Sequence, residues 1–253
     1  MVHFKEAILL PFQNFKKLTL GATFFLFSAL GSLLSSQQGF RNDLPSILVI
    51  QLTLMIIGWL LSFVVTGYGL IVACNSIKHR FILPEFENIL NLFIKGLLSA
   101  VIVFIYSLPA LFILFLSIGI IIFTSVSSRS FTPFLAGIPV IVVGLIILLM
   151  AAYVSPAALF RYAETDNFGN AFDVRTVFRK AFTGSWLAAM VVSTIYYFFL
   201  LIIAGLFMFG LRLFSDSLPY AALLLSAVLI SYLSMITMLT YSAMLGDAYG
   251  AKK

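Results

Sequence analysis

Charged side chains are scarce in this sequence. Of its 253 residues only 9% are Asp, Glu, Lys or Arg, whereas 62% are apolar. A soluble domain carries roughly 25% charged residues, because water must solvate its surface. A chain of this size with so few charges cannot cover a globular surface with polar groups. The composition therefore excludes an ordinary soluble domain and predicts a protein that is solvated by lipid.

Cysteine and histidine are nearly absent, which limits the chemistry that the sequence can support. The one cysteine, Cys74, has no partner for an internal disulfide, and together with His3 and His79 it falls short of a zinc ligand set. The sequence has no H-E-x-x-H motif and no glycine-rich phosphate loop. We therefore expect no cofactor, no metal and no catalytic residues, and we predict that the protein is not an enzyme.

Six long segments contain no Asp, Glu, Lys, Arg or His, and each has 19 or more residues. That length is enough to cross a hydrocarbon core of about 30 Å at about 1.5 Å per residue. The predicted spans are residues 18–36, 44–74, 96–126, 131–160, 185–211 and 219–245. The sequence thus predicts an all-α, polytopic integral membrane helix bundle that forms a single transmembrane domain over residues 1–253.

The basic residues between these spans are divided unequally. If the N-terminus lies inside, twelve of the fifteen Lys and Arg residues fall on the inner side, and the outer side holds only Arg41, Arg129 and Arg212. Cytoplasmic connections carry the excess of basic residues in membrane proteins. We therefore expect a multi-pass protein of the cell membrane with both termini in the cytoplasm. Its outer loops are too short to form a domain. They lie near residues 37–43, 127–130 and 212–218.

Three inner segments have apolar residues on one helical face and charged residues on another. They lead to Gly21, Gly96 and Gly184, near which the first, third and fifth spans begin. This pattern predicts amphipathic helices in the inner interface, the second beginning at Pro84 and the third capped by Asn170. It favours three repeats of an interfacial helix and a transmembrane hairpin. The alternative is that any inner loop between hydrophobic helices tends towards this composition without a repeat.

Six basic residues on the inner segments are candidates for contact with anionic phospholipid, because basic charge beside an apolar face suits lipid headgroups. They are Lys78, Arg80, Lys95, Arg175, Arg179 and Lys180. The same argument assigns the net charge of +6 to membrane orientation and lipid rather than to nucleic acid.

Small residues recur every seven positions along the fourth predicted span. They are Gly137, Gly144, Ala151 and Ala158. Small residues let neighbouring helices approach closely within a membrane, so this spacing predicts a helix-packing seam in preference to a pore lining.

Several short motifs give the chain a resemblance to a known family. They are Gly67-Tyr68-Gly69, Leu83-Pro84-Glu85-Phe86, Lys95-Gly96, Ile105-Tyr106-Ser107-Leu108-Pro109-Ala110, Ser155-Pro156-Ala157-Ala158, Tyr162-Ala163 and Asn170-Ala171-Phe172. Over nearly the whole chain they resemble the signature of the domain of unknown function 4013 family of prokaryotic multi-spanning membrane proteins. Members often have Arg shortly after the Gly-Tyr pair, whereas this chain reaches Lys78 only later. The resemblance implies six spans and supplies no activity.

Two kinds of function remain open at this point. The first is a non-catalytic membrane component that binds lipid or a partner complex, and the absence of charge within the spans favours it. The second is a passive channel or transporter for a small or apolar solute, which the small-residue seam and Pro109 in the third span permit. The expected partners are the lipid bilayer and either another membrane protein or a second copy of the chain.

Overall fold

The computed structural model describes residues 2–36, 44–86, 88–127, 132–213 and 219–251. Over these residues the chain is built from helices and short connections and has no β-strand, so the predicted all-α class is confirmed. The α-helices are α1 Phe4–Leu9, α2 Phe15–Ser36, α3 Leu44–Ile77, α4 Ile89–Ser127, α5 Thr132–Thr165, α6 Val174–Ala181, α7 Gly184–Arg212 and α8 Pro219–Gly250. Short 3-10 segments, Leu10–Gln13 and Phe168–Phe172, precede α2 and α6.

Five of the described helices are long and apolar enough to cross a membrane. They cover Val49–Ile77, Ile89–Phe123, Gly137–Thr165, Gly184–Arg212 and Tyr220–Gly250, and they coincide with five of the six predicted spans. The other predicted span falls on α2, a helix of 22 residues, which is not among the five. The structure thus indicates a multi-pass membrane protein, whereas the count of six spans stays a prediction.

The described residues leave out most of the predicted outer face. The structure does not describe residues 37–43, 128–131 and 214–218. Most of the predicted outer loops lie there, and so do two of the three outer basic residues, Arg41 and Arg129. Arg212, the third, ends α7 and is exposed.

Large apolar side chains cover the outside of the described helices. Phe112, Phe115 and Phe123 of α4, for example, are between 70% and 74% exposed. Alanine and serine are frequent among the buried positions, and the hydroxyls of buried Ser226 and Ser231 donate to the carbonyl oxygens four residues earlier. Water would penalise such a surface, whereas hydrocarbon solvates it and leaves small residues to pack the helices together.

The chain divides into two compact units. The first comprises Met1–Leu97 and Phe182–Lys253, and the second comprises Leu98–Ala181. In the first unit α2 packs on α3 and α8, α3 packs on α8, and both α1 and α7 pack on α8. In the second unit α6 and the 3-10 segment before it pack on α5.

Glycines bring helix backbones of the first unit into direct contact. A Cβ atom on Gly67 of α3 would overlap the carbonyl group of Leu92 in α4, and one on Gly96 of α4 would overlap a carbonyl group of α3. On α8, a Cβ atom on Gly246 would lie 2.7 Å from the carbonyl oxygen of Ala73 in α3. Any side chain at these positions would force the helices apart, so glycine is required for this packing.

The second predicted interfacial helix, residues 84–95, is wrong at its start and is not a separate helix, because its residues 89–95 form the first turns of α4. Residues 81–86 are not helical, and α4 begins only at Ile89. The hydroxyl of Tyr68 donates to the carbonyl oxygen of Pro84 at 2.9 Å, and the ring of Phe86 stacks on that of Tyr68 with centroids 3.9 Å apart. These contacts hold the end of the segment against α3, and tertiary packing therefore overrides the helical pattern of the sequence.

The third predicted interfacial helix exists, but it begins later than expected. Asn170 lies within the 3-10 segment and does not cap a helix. The side chain of Asp173 instead accepts a hydrogen bond from the backbone N–H of Thr176 at 3.2 Å, and α6 begins at Val174. The arrangement as three hairpin repeats stays a prediction: 3-10 segments precede α2 and α6, whereas residues 81–86 before α4 are not helical.

Candidate functional site

Two tyrosines hold the ends of the segment that carries α6. The hydroxyl of Tyr106 in α4 donates to the carbonyl oxygen of Ala171 at 2.8 Å, and its ring stacks on that of Phe172. The hydroxyl of Tyr153 in α5 donates to the carbonyl oxygen of Ala181 at 2.8 Å. Both alanines are fully buried. These anchors within the second unit determine which face of α6 is turned outward.

The outward face of α6 is partly apolar. Val177 and Ala181 are buried where α6 packs on α5, whereas Val174 is 55% exposed and Phe178 is 38% exposed. The predicted apolar face of this helix is therefore only half covered by protein. An exposed apolar edge on a basic helix is typical of helices that lie at the boundary between headgroups and acyl chains.

The basic residues of α6 accompany this exposed edge. Arg175 and Arg179 are exposed and Lys180 is half-buried, and α6 itself contains no acidic residue. Hydrogen bonds from the side chain and the backbone of Thr176, with guanidinium groups nearby, lower the pKa of the Asp173 carboxyl before the helix. Asp173 therefore stays ionised and stabilises the N-terminus of a helix that carries three positive charges.

The other three predicted lipid contacts lie in the first unit. Lys78 and Arg80 follow the C-terminus of α3 and are exposed, whereas Lys95 lies on α4 and is half-buried. The predicted set of six basic residues is therefore divided between the two units, three in each.

The predicted seam on α5 lies within the second unit. A Cβ atom on Gly137 would overlap a side chain of α4, and one on Gly144 would lie 2.8 Å from Cδ2 of Leu114, also in α4. Ala151 and Ala158 are 8% and 0% exposed. The two glycines thus face side chains of α4. Gly67 and Gly96 lie against helix backbone instead, and this packing role was not predicted from the sequence.

Both histidines of the chain meet at Asp247, a residue that the sequence analysis did not single out. Asp247 is the only charged residue of α8, and its side chain is fully buried. Its Oδ2 atom accepts a hydrogen bond from the backbone N–H of His3 at 2.6 Å, and its Oδ1 atom lies 2.6 Å from Nδ1 of His79. Nδ1 of His3 is 3.4 Å from the carboxylate. Both imidazoles therefore face one carboxylate, although Cys74, on α3, is not part of this group.

A cavity of about 230 Å³ lies between α7 and α8 in the first unit. It is lined by Ser193, Thr194, Tyr196, Tyr197, Thr237, Thr240 and Tyr241. Although every lining residue carries a hydroxyl, those of Thr194 and Thr237 donate to backbone carbonyl oxygens of their own helices. The walls consist largely of aromatic rings and methyl groups, which suits a small apolar guest.

The motifs behind the family resemblance contact one another within each unit. In the first unit Gly67 lies against Gly96, while Tyr68 contacts Pro84 and Phe86. In the second unit Tyr106 donates to the carbonyl oxygen of Ala171 and stacks on Phe172. The signature thus includes residues that determine how the helices pack on one another and on the segments that connect them.

Comparison with known proteins gives one match. No curated protein and no solved structure matches the chain. A family model, described as Protein of unknown function (DUF4013), matches residues 47–209, which is more than half of the chain. The match covers all the motifs of the resemblance and all six predicted lipid contacts, whereas His3 and Asp247 lie outside it. The resemblance is therefore confirmed, and the chain belongs to the DUF4013 family.

Proposed function

We propose that this protein is a non-catalytic component of a prokaryotic plasma membrane that binds acidic phospholipid at its cytoplasmic face. The observation that carries the proposal is α6, a helix of eight residues with three basic side chains, an exposed apolar edge and two tyrosine anchors. A basic residue near an anionic surface contributes about 1 kcal/mol of binding free energy. Three such residues on one anchored helix therefore favour an acidic headgroup over a zwitterionic one.

The proposal includes a topology. It takes α2 as a sixth span, because its uncharged part, residues 18–36, falls within the range of about 17 to 25 apolar residues that cross the hydrocarbon core. Six spans place both termini on the same side of the membrane. That side, which includes α6, is the cytoplasmic one, because it carries twelve of the fifteen basic residues. Catalysis forms no part of the proposal. A membrane-protein partner or a second copy would bind elsewhere on the apolar surface.

Neutralising the charge of α6 should reduce the acidic phospholipid that copurifies with the protein. In the variant Arg175→Gln, Arg179→Gln, Lys180→Gln, the helix and its apolar edge remain while three positive charges are lost. We expect mass spectrometry of the purified variant to show at most about half of the parent's bound acidic lipid, because three contributions of about 1 kcal/mol each disappear. Insertion should be unaffected, since nine inner basic residues still outnumber three outer ones.

A matched control removes the same net charge from the opposite side. The variant Arg41→Gln, Arg129→Gln, Arg212→Gln changes the three basic residues assigned to the outer face. It should keep the parent's acidic lipid. If the α6 variant retains the full complement of acidic lipid, or if both variants lose equal amounts, α6 holds no lipid of its own and the proposal fails.

The cavity between α7 and α8 favours a second candidate function, the passage or binding of a small or apolar solute. Its walls belong to two candidate spans, α7 and α8. Liposomes that contain the protein should then swell faster in a glycerol gradient than empty liposomes. Filling the cavity with Ser193→Leu should abolish the difference. Equal swelling of protein-containing and empty liposomes would exclude this candidate for glycerol-sized solutes.

A further inference from the structure

We propose that His3, His79 and Asp247 form a binding site for a divalent first-row transition-metal ion such as Zn²⁺. The inference goes beyond the proposed lipid binding and does not depend on it. Two imidazoles and a carboxylate are ligands that Zn²⁺ and its neighbours in the first transition row accept, with further positions filled by solvent. The three residues come from the start of the chain, the turn after α3 and the end of α8.

The distances between the donor atoms are compatible with one shared ion. The three donor atoms all lie within 4.8 Å of one another. Ligands of a tetrahedral Zn²⁺ at bond lengths near 2.1 Å are roughly 3.4 Å apart, and Nδ1 of His3 is 3.4 Å from the Asp247 carboxylate. Nδ1 of His79 is closer, at 2.6 Å from Oδ1, which is a hydrogen-bond distance. Metal binding would displace the proton from this nitrogen and lengthen that one separation.

The backbone at His79 supports a role for its side chain. His79 has a φ of 55°, a left-handed conformation that favours glycine. The backbone N–H of His79 donates to the carbonyl oxygen of Ser76, and the backbone N–H of Arg80 donates to the carbonyl oxygen of Asn75. This pair of hydrogen bonds closes the C-terminus of α3, and His79 occupies the position in it that is usually glycine. Histidine is less favourable than glycine in this backbone conformation, but its side chain contacts Asp247. Strained residues of this kind are concentrated at ligand sites.

Surrounding groups orient the donors and leave the site accessible. The ring of Phe81 contacts that of His3 edge to face at 5.9 Å, and the backbone N–H of His3 occupies Oδ2 of Asp247 and leaves Oδ1 towards His79. Outer contacts of this sort fix the geometry of metal ligands. Asp247 is buried, whereas both histidine side chains are 45% exposed. An ion can therefore enter from the aqueous side and reach a carboxylate that the protein already holds in place.

The competing account is a hydrogen-bonded cluster without a metal ion, because the backbone N–H of His3 and the ring of His79 already donate to the Asp247 carboxylate. Two substitutions separate the accounts. His3→Ala removes an imidazole but keeps the backbone N–H that donates to Asp247. His79→Gly removes the other imidazole and places glycine at the left-handed position, so the turn after α3 remains favourable. The chain contains no histidine besides these two, so no other imidazole can substitute for them.

The test is a Zn²⁺ titration of the whole protein in detergent, without a polyhistidine tag and in a Cys74→Ser background. Thermal unfolding and calorimetry report binding, and the visible spectrum with Co²⁺ reports the coordination. We expect one ion per chain to raise the melting temperature of the parent, with affinity reduced about 100-fold or more in His3→Ala and in His79→Gly, since even outer-contact mutations weaken metal sites by 10–100-fold. Mg²⁺ should leave the parent unchanged.

Two results would overturn the proposal. The first is a parent that binds less than one Zn²⁺ per chain or shows no change in melting temperature. The three residues would then form a hydrogen-bonded cluster without a metal ion. The second is equal Zn²⁺ affinity in the parent and in both variants, which would place the ion elsewhere. The α6 variant should lose acidic lipid but bind Zn²⁺ as tightly as the parent, because the two sites share no residue.

Discussion

Gly67→Leu should unfold the protein at temperatures at which the parent is stable. Even the first side-chain atom of leucine would overlap the carbonyl group of Leu92, which belongs to the backbone of α4 and cannot rotate away. Overpacking of a well-packed core costs up to about 3 kcal/mol, and a clash with backbone lies at the upper end. We expect thermal denaturation in detergent to show the largest decrease in melting temperature at this position, together with a reduced yield of folded protein.

Two further glycines provide a graded comparison. Gly205→Leu on α7 should leave the melting temperature nearly unchanged, because nothing lies within 4 Å of a Cβ atom there. Gly144→Leu should lie between the two, because its nearest neighbour is the side chain of Leu114, which can shift. If Gly67→Leu and Gly205→Leu melt alike, the close crossing of α3 and α4 does not stabilise the fold.

Asp247→Ala should detach the start of the chain from α8. In the presence of a chelator, the substitution leaves the His3 N–H and the His79 ring without their acceptor, and such a loss costs about 1–3 kcal/mol. Since α1 packs on α8, we expect trypsin to cleave after Lys5 much faster in the variant, as measured by mass spectrometry of the fragments.

Asp247→Asn is the matched control, because its amide oxygen retains one acceptor at the same place. Its cleavage rate should fall between those of the parent and Asp247→Ala. If trypsin cleaves all three proteins after Lys5 at the same rate, the cluster does not hold the N-terminal segment, and hydrophobic contacts of α1 alone do so.

The helical framework could be predicted because it depends on local composition. A helix is expected for long uncharged runs such as 185–211, because in lipid it satisfies the backbone polar groups within the segment itself. The residues at which the helices begin and end were less predictable. α8 continues to Gly250, past the predicted end at 245, because a charged residue at the membrane boundary does not stop a helix. Pro84 failed as a helix start because Tyr68 binds its carbonyl group, and the sequence does not reveal this contact.

The candidate sites differ in the same respect. The basic helix is a local pattern, and the sequence predicts it with a start at Asn170 instead of Val174. Its exposed edge depends on hydrogen bonds from Tyr106 and Tyr153, which are far away in the sequence. The contacts of Asp247 reach across 168 residues to His79 and 244 residues to His3. No spacing rule covers such separations, so two isolated histidines gave no indication of a common partner.

The central claim is that the basic helix α6 faces the cytoplasm, and the accessibility of single cysteines tests it most directly. In a Cys74→Ser background the chain has no other thiol, so Arg175→Cys and Arg129→Cys each introduce a unique one. We predict that a membrane-impermeant maleimide labels Arg129→Cys in intact cells but labels Arg175→Cys only after the membrane is permeabilised. Labelling of Arg175→Cys in intact cells would place α6 outside and contradict both the topology and the proposed binding of cytoplasmic-face lipid.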